Sequence, residues 1–245
     1  MAYGYKAGKK RINGILNSPN EITVMGSVPK MGAFNYQNGI CAPVAAIFVD
    51  IRDSSTYFTK QPKKQVAQMI RAFVNELIEI FSNNKNHREI GIRGDCVYAI
   101  YNASSKGACE SVIDDAATAN TLMNMLNSLL EQRRYKRIKA GIGIGYDDKQ
   151  LVVKAGNIQA NINSFVWIGN AVIDASNCAS FGNRGNREAV IISERFFEKI
   201  KDLNANDRET YSDLFRKFSD CGKIMRECSI VNTAFNEWLK NGMKG

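Results

Sequence analysis

Apolar runs and amphipathic stretches alternate along the chain and predict a mixed α/β protein. Residues 42–51 (APVAAIFVDI) are almost continuously apolar, which is typical of a central strand covered on both faces. The segments 62–81 and 107–134 instead repeat apolar residues at steps of three and four, as helices with one buried face do. Pro62 suits the first turn of the first of these helices. We therefore expect a buried strand packed against long amphipathic helices.

A Gly-Asp pair marks the first predicted hairpin. Residues 89–93 and 96–101 are rich in residues that favour strands, and Gly94 and Asp95 lie between them. A short Gly/Asp connection between two such runs is a strong local signal for a hairpin. We therefore expect Asp95 in a tight turn at the end of two paired strands.

The second half of the chain continues with short strands and helices. The segments 138–147 and 150–156 predict another hairpin with its turn at 147–149, and 157–165 is predicted to be a loop. Three further elements follow from the same patterns: a helix over 169–182, a strand over 188–192 with a short helix capped by Ser193, and a terminal helix near 235–241. Residues 202–230 are polar and carry no clear pattern.

This order of elements predicts one α/β domain over residues 42–200, with an N-terminal arm over 1–41 and a C-terminal extension over 201–245 packed on it. The 245 residues are 44% hydrophobic and 23% charged, an ordinary globular composition that permits a sizeable core. No stretch approaches the ~18 uninterrupted apolar residues of a membrane span. The basic N-terminus lacks the apolar core of a signal peptide. We therefore expect a cytoplasmic protein without a membrane partner.

Composition and charge narrow the possible chemistry. The six cysteines are scattered and form no CxxC pair, so packed thiols are expected rather than a zinc site or disulfides. His87, the only histidine, lies in the polar stretch SNNKNHRE and is expected to be solvated. The net charge of +9 favours anionic ligands, either phosphorylated small molecules or nucleic acid. Only the charge supports nucleic acid, because the basic runs lack interleaved aromatic residues, and we therefore expect no nucleic-acid partner.

Two aspartates are placed to form a metal site. Asp50 ends the apolar strand, and Asp95 lies in the predicted hairpin turn. If the two strands are neighbours, the carboxylates converge at one edge of the sheet. Each residue also has a structural alternative, since Asp50 could cap a helix and Asp95 could simply form the turn. The pair nevertheless favours metal-dependent phosphoryl transfer, which requires hard oxygen ligands for Mg²⁺ or Mn²⁺.

Four segments together resemble the catalytic domain of class III nucleotidyl cyclases over roughly 42–200: FVDIRDSS, IRGDCVYAIY, IKAGIGIGY and VWIGNAVIDAS. The resemblance is greatest to compact bacterial uridylate and cytidylate cyclases of Pycsar antiphage systems. It implies a ferredoxin-like α/β (α+β) core, with helices packed on a mostly antiparallel sheet. It also implies a head-to-tail homodimer with active sites at the subunit interface. The implied reaction is attack of the ribose 3′-oxygen on the α-phosphate of a nucleoside triphosphate, with release of pyrophosphate.

The resemblance assigns roles to particular residues. Asp50 and Asp95 match the two metal-binding aspartates, and Ile51 matches the residue whose backbone carbonyl helps to hold the second ion. Two ions per site, Mn²⁺ or Mg²⁺, are implied. Backbone N–H groups at the start of the next helix would meet the triphosphate. The residues at that helix start are Asp53, Ser54, Ser55 and Thr56.

One departure from the purine cyclases favours a pyrimidine substrate. Their base-reading positions fall on Gly91, four residues before Asp95, and on Val166, just ahead of Trp-Ile-Gly. Neither residue offers a polar side chain to adenine or guanine. A pyrimidine nucleotide whose base contacts another side chain is therefore the preferred substrate. UTP is favoured over CTP only because uridylate cyclases are the more frequent in the family. Arg93 is a candidate contact to base or phosphate, and a solvated strand arginine is the alternative.

A second departure concerns the transition state. The positions of the family's transition-state Asn and Arg fall on Ile173 and Asn177, and Asn177 supplies no positive charge. Either another cation replaces it, from Arg184, Arg187 or Lys154, or catalysis is slow. The sequence thus favours a metal-dependent pyrimidine cyclase whose product is a second messenger in antiphage defence. An adenylate or guanylate cyclase and a catalytically silent nucleotide-binding pseudocyclase remain the alternatives.

Overall fold

The computed structural model describes residues 3–157 and 161–244. Within these ranges, the chain forms eight α-helices and one nine-stranded sheet. In chain order the elements are α1 (Tyr5–Leu16), β1 (Glu21–Val24), β2 (Asn38–Ile51), α2 (Ser54–Lys60), α3 (Lys63–Ser82), β3 (His87–Arg93), β4 (Cys96–Asn102), α4 (Lys106–Gln132), β5 (Ala140–Asn157), β6 (Ile162–Ile168), α5 (Asn170–Phe181), β7 (Val190–Ser193), α6 (Glu194–Ile200), α7 (Tyr211–Leu214), β8 (Arg216–Asp220), β9 (Lys223–Cys228) and α8 (Thr233–Lys240).

The apolar strand β2 lies at the centre of the sheet, between β4 and β5. The strand order is β3-β4-β2-β5-β7-β9-β8, with β1 paired to β2 and β6 paired to β5. The β1–β2 and β5–β7 pairs are parallel, and the other pairs in the described residues are antiparallel. The predicted fold class, a mostly antiparallel sheet with helices packed on it, is confirmed.

Helices cover both faces of the sheet. The larger apolar core lies on the face covered by α2, α3, α4 and α6, and it includes a residue from each of them: Tyr57, Phe73, Val112 and Phe196. Helix α5 covers part of the opposite face, where Ala171 and Ala175 pack with Ala46 of β2. Burial of this continuous apolar surface on both faces of β2 explains why its sequence is not alternating.

Three glycines on β5 bring α5 unusually close to the sheet. Gly141, Gly143 and Gly145 alternate with core residues along the strand and face α5. A Cβ built on Gly143 would overlap the backbone of Ala179, and its two neighbouring glycines meet α5 in the same way. The GIGIG pattern therefore lets the backbone of α5 rest directly on the sheet.

The predicted hairpin with a turn at 147–149 is wrong. Strand β5 continues through these residues, and Asp148 and Lys149 lie opposite the single residue Pro43 of β2. An extra residue on one strand defines a β-bulge, and proline, which has no N–H for the ladder, is tolerated at such a position. The polar Asp-Asp-Lys sequence thus marks a bulge in a long strand.

The predicted loop over 157–165 is also wrong where the structure describes it. Residue 157 ends β5, β6 begins at Ile162, and 158–160 lie outside the described residues. Strand β6 pairs with the second half of β5, so that Trp167 lies opposite Val152. Strand β6 therefore forms an antiparallel pair with the second half of β5, and residues of β6 and α5 line a common cleft.

Most other predicted elements are confirmed. The β3–β4 hairpin turns at Gly94, whose φ of 65° lies in the left-handed region that suits glycine. The side chain of Ser193 caps α6 by accepting the backbone N–H of Phe196 at 3.3 Å. Residues 216–228, for which no element was predicted, form the β8–β9 hairpin and continue the same sheet beyond β7. In the described ranges, no helix is long and apolar enough to cross a membrane.

Candidate active site

Asp50 and Asp95 lie together at one edge of the sheet. Asp50, at the end of β2, pairs with Cys96 at the start of β4, so Asp95 in the preceding turn is adjacent to it. Both aspartates line a cleft of about 530 Å³. Burial raises the pKa of the Asp50 carboxyl above its ordinary value, the charge of Arg52 opposes this, and the charge of Asp95 raises it further. The two carboxylates therefore repel each other, which favours a bound cation between them.

The negative charges of the two aspartates also affect the thiol of the neighbouring residue Cys96. Burial is the main reason that the pKa of Cys96 is raised to about 12, and the charges of Asp50 and Asp95 add to it. Without a cation in the cleft, Cys96 therefore stays protonated near neutral pH.

Several other predicted residues line the same cleft. Its lining residues are Asp50, Ile51, Arg52, Asp53, Ser54, Ser55, Asp95, Asn183, Arg184 and Gly185. Asp53 has a positive φ of 53° and precedes the first residue of α2, so the chain turns sharply around the cleft. Thr56 is exposed on α2 and is not one of the lining residues. The predicted metal-binding and triphosphate-binding positions are thus brought together, with Thr56 at the margin.

Arg52 is a site residue that the sequence reasoning missed. Its guanidinium forms an ion pair with the Asp50 carboxylate, and its Nη1 donates to the backbone carbonyl of Ser180 on α5 at 2.8 Å. The Arg52 side chain is only 8% exposed, whereas that of Asp50 is 36% exposed. Arg52 therefore holds the Asp50 carboxylate in position and ties the end of β2 to α5.

The available donor atoms fit a hard divalent cation. The carboxylates of Asp50 and Asp95 and the backbone carbonyl of Ile51 are all oxygen donors, which Mg²⁺ and Mn²⁺ prefer. Among the described residues, no cluster of three or more His, Cys, Asp or Glu side chains could hold a metal by itself. The protein therefore offers a partial shell, and a substrate phosphate is suited to complete it.

A second cleft, of about 870 Å³, lies on the face of the sheet between the β3–β4 hairpin, β6 and α5. Asp50 lines this cleft as well, so the two clefts adjoin. Three predicted substrate-binding residues line it: Arg93, Val166 and Asn177. Ile173 also lines it and is 54% exposed. Val166 and the two transition-state positions therefore lie along one surface that leads to the aspartates, whereas Gly91, the other predicted base-reading position, is not one of the lining residues.

Tyr98 occupies the space beside Gly91. The two residues are opposite each other in the β3–β4 ladder, and a Cβ built on Gly91 would overlap the Tyr98 ring. The same ring stacks on Phe48, with ring centroids 5.2 Å apart and planes 16° from parallel. Gly91 is thus the residue that makes room for an aromatic side chain from the neighbouring strand. Sequence reasoning missed this role for Tyr98 because the contact joins two strands.

Glu89 is a second residue that sequence reasoning missed. Its Oε1 accepts a hydrogen bond from Tyr98 Oη and its Oε2 accepts one from Trp167 Nε1, both at 2.9 Å. Burial, followed by the hydrogen bond to Glu89, raises the pKa of Tyr98 to about 12, so its hydroxyl stays a donor. The period of two along β3, which puts Glu89, Gly91 and Arg93 on one face, was the available signal.

The three candidate replacement cations, Arg184, Arg187 and Lys154, lie in different surroundings. Arg184 lines the aspartate cleft, and its charge acts to lower the pKa of Asp50. Arg187 instead pairs with Glu227 at 3.2 Å. Lys154 lies over a tyrosine ring, 5.2 Å from its centroid. Of the three, Arg184 alone is placed by these described contacts beside the aspartates.

Comparison with known proteins places these features in a family. The sequence matches the adenylate and guanylate cyclase catalytic domain over residues 37–212. It is 41% identical over 243 residues to a uridylate cyclase of Treponema porcinum, covering 99% of this chain and 83% of that protein. It is 30% identical over 222 residues to a uridylate cyclase of Gulbenkiania mobilis, covering 86% of each.

The fold agrees with the sequence match. The structure is similar to the crystal structure of the guanylyl cyclase Cya2, with a TM-score of 0.64 at 14% identity. The similarity covers 81% of this chain and 97% of that chain. Class III cyclases act on nucleoside triphosphates and generally use divalent metal ions. Because the family match spans most of the chain and the two relatives align over 99% and 86% of it, this protein belongs to the class III nucleotide cyclases and is an enzyme of that kind.

Proposed function

We propose that the protein converts UTP into 3′,5′-cyclic UMP and pyrophosphate. The observation that supports a pyrimidine most directly is the Tyr98 ring, which fills the space beside Gly91, a position where purine cyclases keep a base-reading side chain. A single-ring base needs less room there than adenine or guanine. UTP is preferred to CTP because both relatives reported above are uridylate cyclases. On the resemblance to antiphage cyclases, we further propose that the product is a second messenger in antiphage defence.

The aspartate cleft is proposed to hold the triphosphate. Two ions, Mn²⁺ or Mg²⁺, would be held by Asp50, Asp95 and the carbonyl of Ile51, and they would stabilise negative charge on the phosphates. Backbone N–H groups of residues 53–56 would face the phosphates. Arg184 would supply the positive charge that Asn177 cannot, because it lies on the same cleft as the aspartates.

A head-to-tail homodimer is proposed to complete the active site. Exposed apolar side chains gather along β6 and the neighbouring surface of α5: Ile162, Val166, Ile168 and Ile173. Such a group on a protein surface is typical of an interface. Val166 and Ile173 also line the second cleft, so a partner subunit seated there would enclose the substrate.

The four ribonucleoside triphosphates test the proposed substrate. With Mn²⁺ present, kcat/KM for UTP or CTP is expected to exceed that for ATP and GTP by at least about tenfold, or ~1.4 kcal/mol of activation free energy. Chromatography identifies the cyclic products. If Arg93 contacts the base, Arg93→Ala is expected to reduce the ratio of kcat/KM for pyrimidine triphosphates to that for purine triphosphates. If Arg93 contacts phosphate, the variant is expected to lower kcat/KM for all four triphosphates alike. A preference of the unmodified enzyme for ATP would contradict the pyrimidine assignment and leave the cyclase assignment in place.

Mixing two inactive variants tests the shared active site. In the proposed head-to-tail dimer, each site combines Asp50 of one subunit with α5 of the other. Asp50→Asn removes a charged metal ligand, and Asn177→Glu places on α5 a charge that repels the triphosphate. A random equal mixture contains about half mixed dimers, each with one undamaged site, so roughly a quarter of the wild-type activity is expected to return. Each variant mixed with itself is the control. A fully active monomer at the working concentration would contradict the dimer proposal.

A second candidate function is nucleotide binding without catalysis. The observation that favours it is the presence of Ile173 and Asn177 where the resemblance places transition-state side chains. Such a protein would bind a nucleoside triphosphate and release no pyrophosphate with any of the four. Measuring binding by calorimetry beside pyrophosphate release in the same preparation separates this function from the first.

A further inference from the structure

The second cleft contains a carboxylate that the proposed chemistry does not use. Glu89 is half-buried on β3 and lines this cleft. It lies two residues before Gly91, on the same face of the strand, and Arg93 follows two residues later. The cleft therefore contains one fixed acceptor and one cation on the strand that carries a base-reading position.

Two donors from different strands hold Glu89 in place. Tyr98 Oη on β4 and Trp167 Nε1 on β6 each donate to one of its oxygens. The indole N–H is only a donor, and the pKa of about 12 keeps the Tyr98 hydroxyl protonated. An ionised carboxylate has about four acceptor positions, of which these bonds use two. Glu89 is thus pre-oriented as an acceptor and retains the capacity to accept from a ligand.

We infer that Glu89 reads the substrate base by accepting the N3–H of uracil. This inference rests on the proposed function and names the group that selects the base. Uracil presents an N–H donor between two carbonyl acceptors, so a carboxylate can face N3 while Arg93 faces a carbonyl oxygen. Cytosine presents a lone pair at N3, which would face the negative charge of Glu89. It must shift to offer its amino group instead, so UTP fits the observed arrangement better than CTP.

The test compares UTP with a base analogue in which a methyl group replaces the N3–H. The wild-type enzyme is expected to bind and cyclise 3-methyl-UTP at least about tenfold less well than UTP, because a site built around a hydrogen bond rejects an analogue that cannot make it. In Glu89→Ala this discrimination is expected to fall to about threefold or less. The analogue 5-methyl-UTP, which keeps the N3–H, is the matched control and should follow UTP in both proteins. Full discrimination retained in Glu89→Ala would overturn the inference.

A second variant guards against a purely structural effect. Glu89→Gln keeps the size of the side chain and replaces one acceptor oxygen with a donor. The ratio of kcat/KM for UTP to that for CTP is expected to fall at least about fivefold, since an amide can pair with the N3 lone pair of cytosine. Loss of activity on all substrates with an unchanged UTP-to-CTP ratio would mean that Glu89 only supports Tyr98 and Trp167, which overturns the inference.

Binding measurements separate this inference from the proposed function. If the wild-type protein forms no cyclic UMP but binds UTP more tightly than 3-methyl-UTP, and Glu89→Ala loses that difference, the base-reading role stands and the proposed conversion of UTP fails. If UTP is cyclised and Glu89→Ala discriminates as the wild type does, the base-reading role fails alone.

Discussion

Asp50→Asn and Asp95→Ala are each expected to lower kcat/KM for UTP by at least about a thousandfold, or ~4 kcal/mol of activation free energy. Each change removes a charged oxygen ligand from the cleft where the triphosphate is proposed to bind. Asparagine is chosen at position 50 because the Arg52 side chain is only 8% exposed and would be left without its partner by alanine. Pyrophosphate release over a range of Mn²⁺ concentrations measures the effect.

Thermal unfolding of the same variants controls for loss of fold. Asp95 is half-buried in the β3–β4 turn and Asp50 lies at the edge of a cleft, and neither is a residue of the apolar core. Asp207→Ala is the matched control, because Asp207 is exposed and lines neither cleft. Metal-dependent activity that survives in both aspartate variants at wild-type level would contradict the metal-site assignment.

Arg184→Ala is expected to lower kcat by about a hundred- to a thousandfold, the loss typical of a donor that stabilises transition-state charge. Arg184 lies on the loop that borders the aspartate cleft, where the phosphate charge is proposed to develop. Arg184→Lys keeps the positive charge and is expected to retain part of the activity, although it cannot make a bidentate contact. Steady-state kinetics with UTP measures both variants.

Arg187, three residues away, provides the contrast. It pairs with the buried Glu227, which is 1% exposed, and its guanidinium lies over the Phe218 ring at 3.8 Å. Arg187→Ala is expected to lower the free energy of unfolding by about 1–3 kcal/mol, because it removes one partner of a buried charge. Arg184→Ala should leave stability nearly unchanged. Equal losses of activity in the two variants, with no difference in stability, would contradict the role given to Arg184.

Local patterns were sufficient to predict most of the elements near the site. The continuous apolar run of 42–51 predicts a central strand because only burial on both faces tolerates such a sequence. The Gly94-Asp95 pair between two strand-like runs predicts the β3–β4 turn, and Gly94 adopts a positive φ there, as glycine readily does. The helices α3 and α4 follow from apolar residues at steps of three and four. In each case the determining residues lie within one turn or one strand of each other.

Pairing between strands that are distant in sequence explains the elements for which the local pattern gave a wrong prediction or none. Asp148 and Lys149 form a bulge opposite Pro43. Because Pro43 lies about a hundred residues earlier in the chain, the local sequence around 147–149 gives no sign of it. Strand β8 is polar and largely exposed, and the two buried residues of β9 are Met225 and the charged Glu227, so the hairpin shows no clear apolar alternation. The hydrophobic pattern of one segment does not show which other strand will pair with it.

The candidate site divides in the same way. The sequence by itself determined the positions of Asp50 and Asp95, because each lies at the end of a predictable strand, and it excluded purine-reading side chains at Gly91 and Val166. Only the tertiary structure decided that Tyr98 fills the space beside Gly91, that Glu89 is held from two strands, and that Arg184 rather than Arg187 borders the aspartates. These contacts depend on how side chains from separate elements pack against one another, and that packing is set by the whole fold.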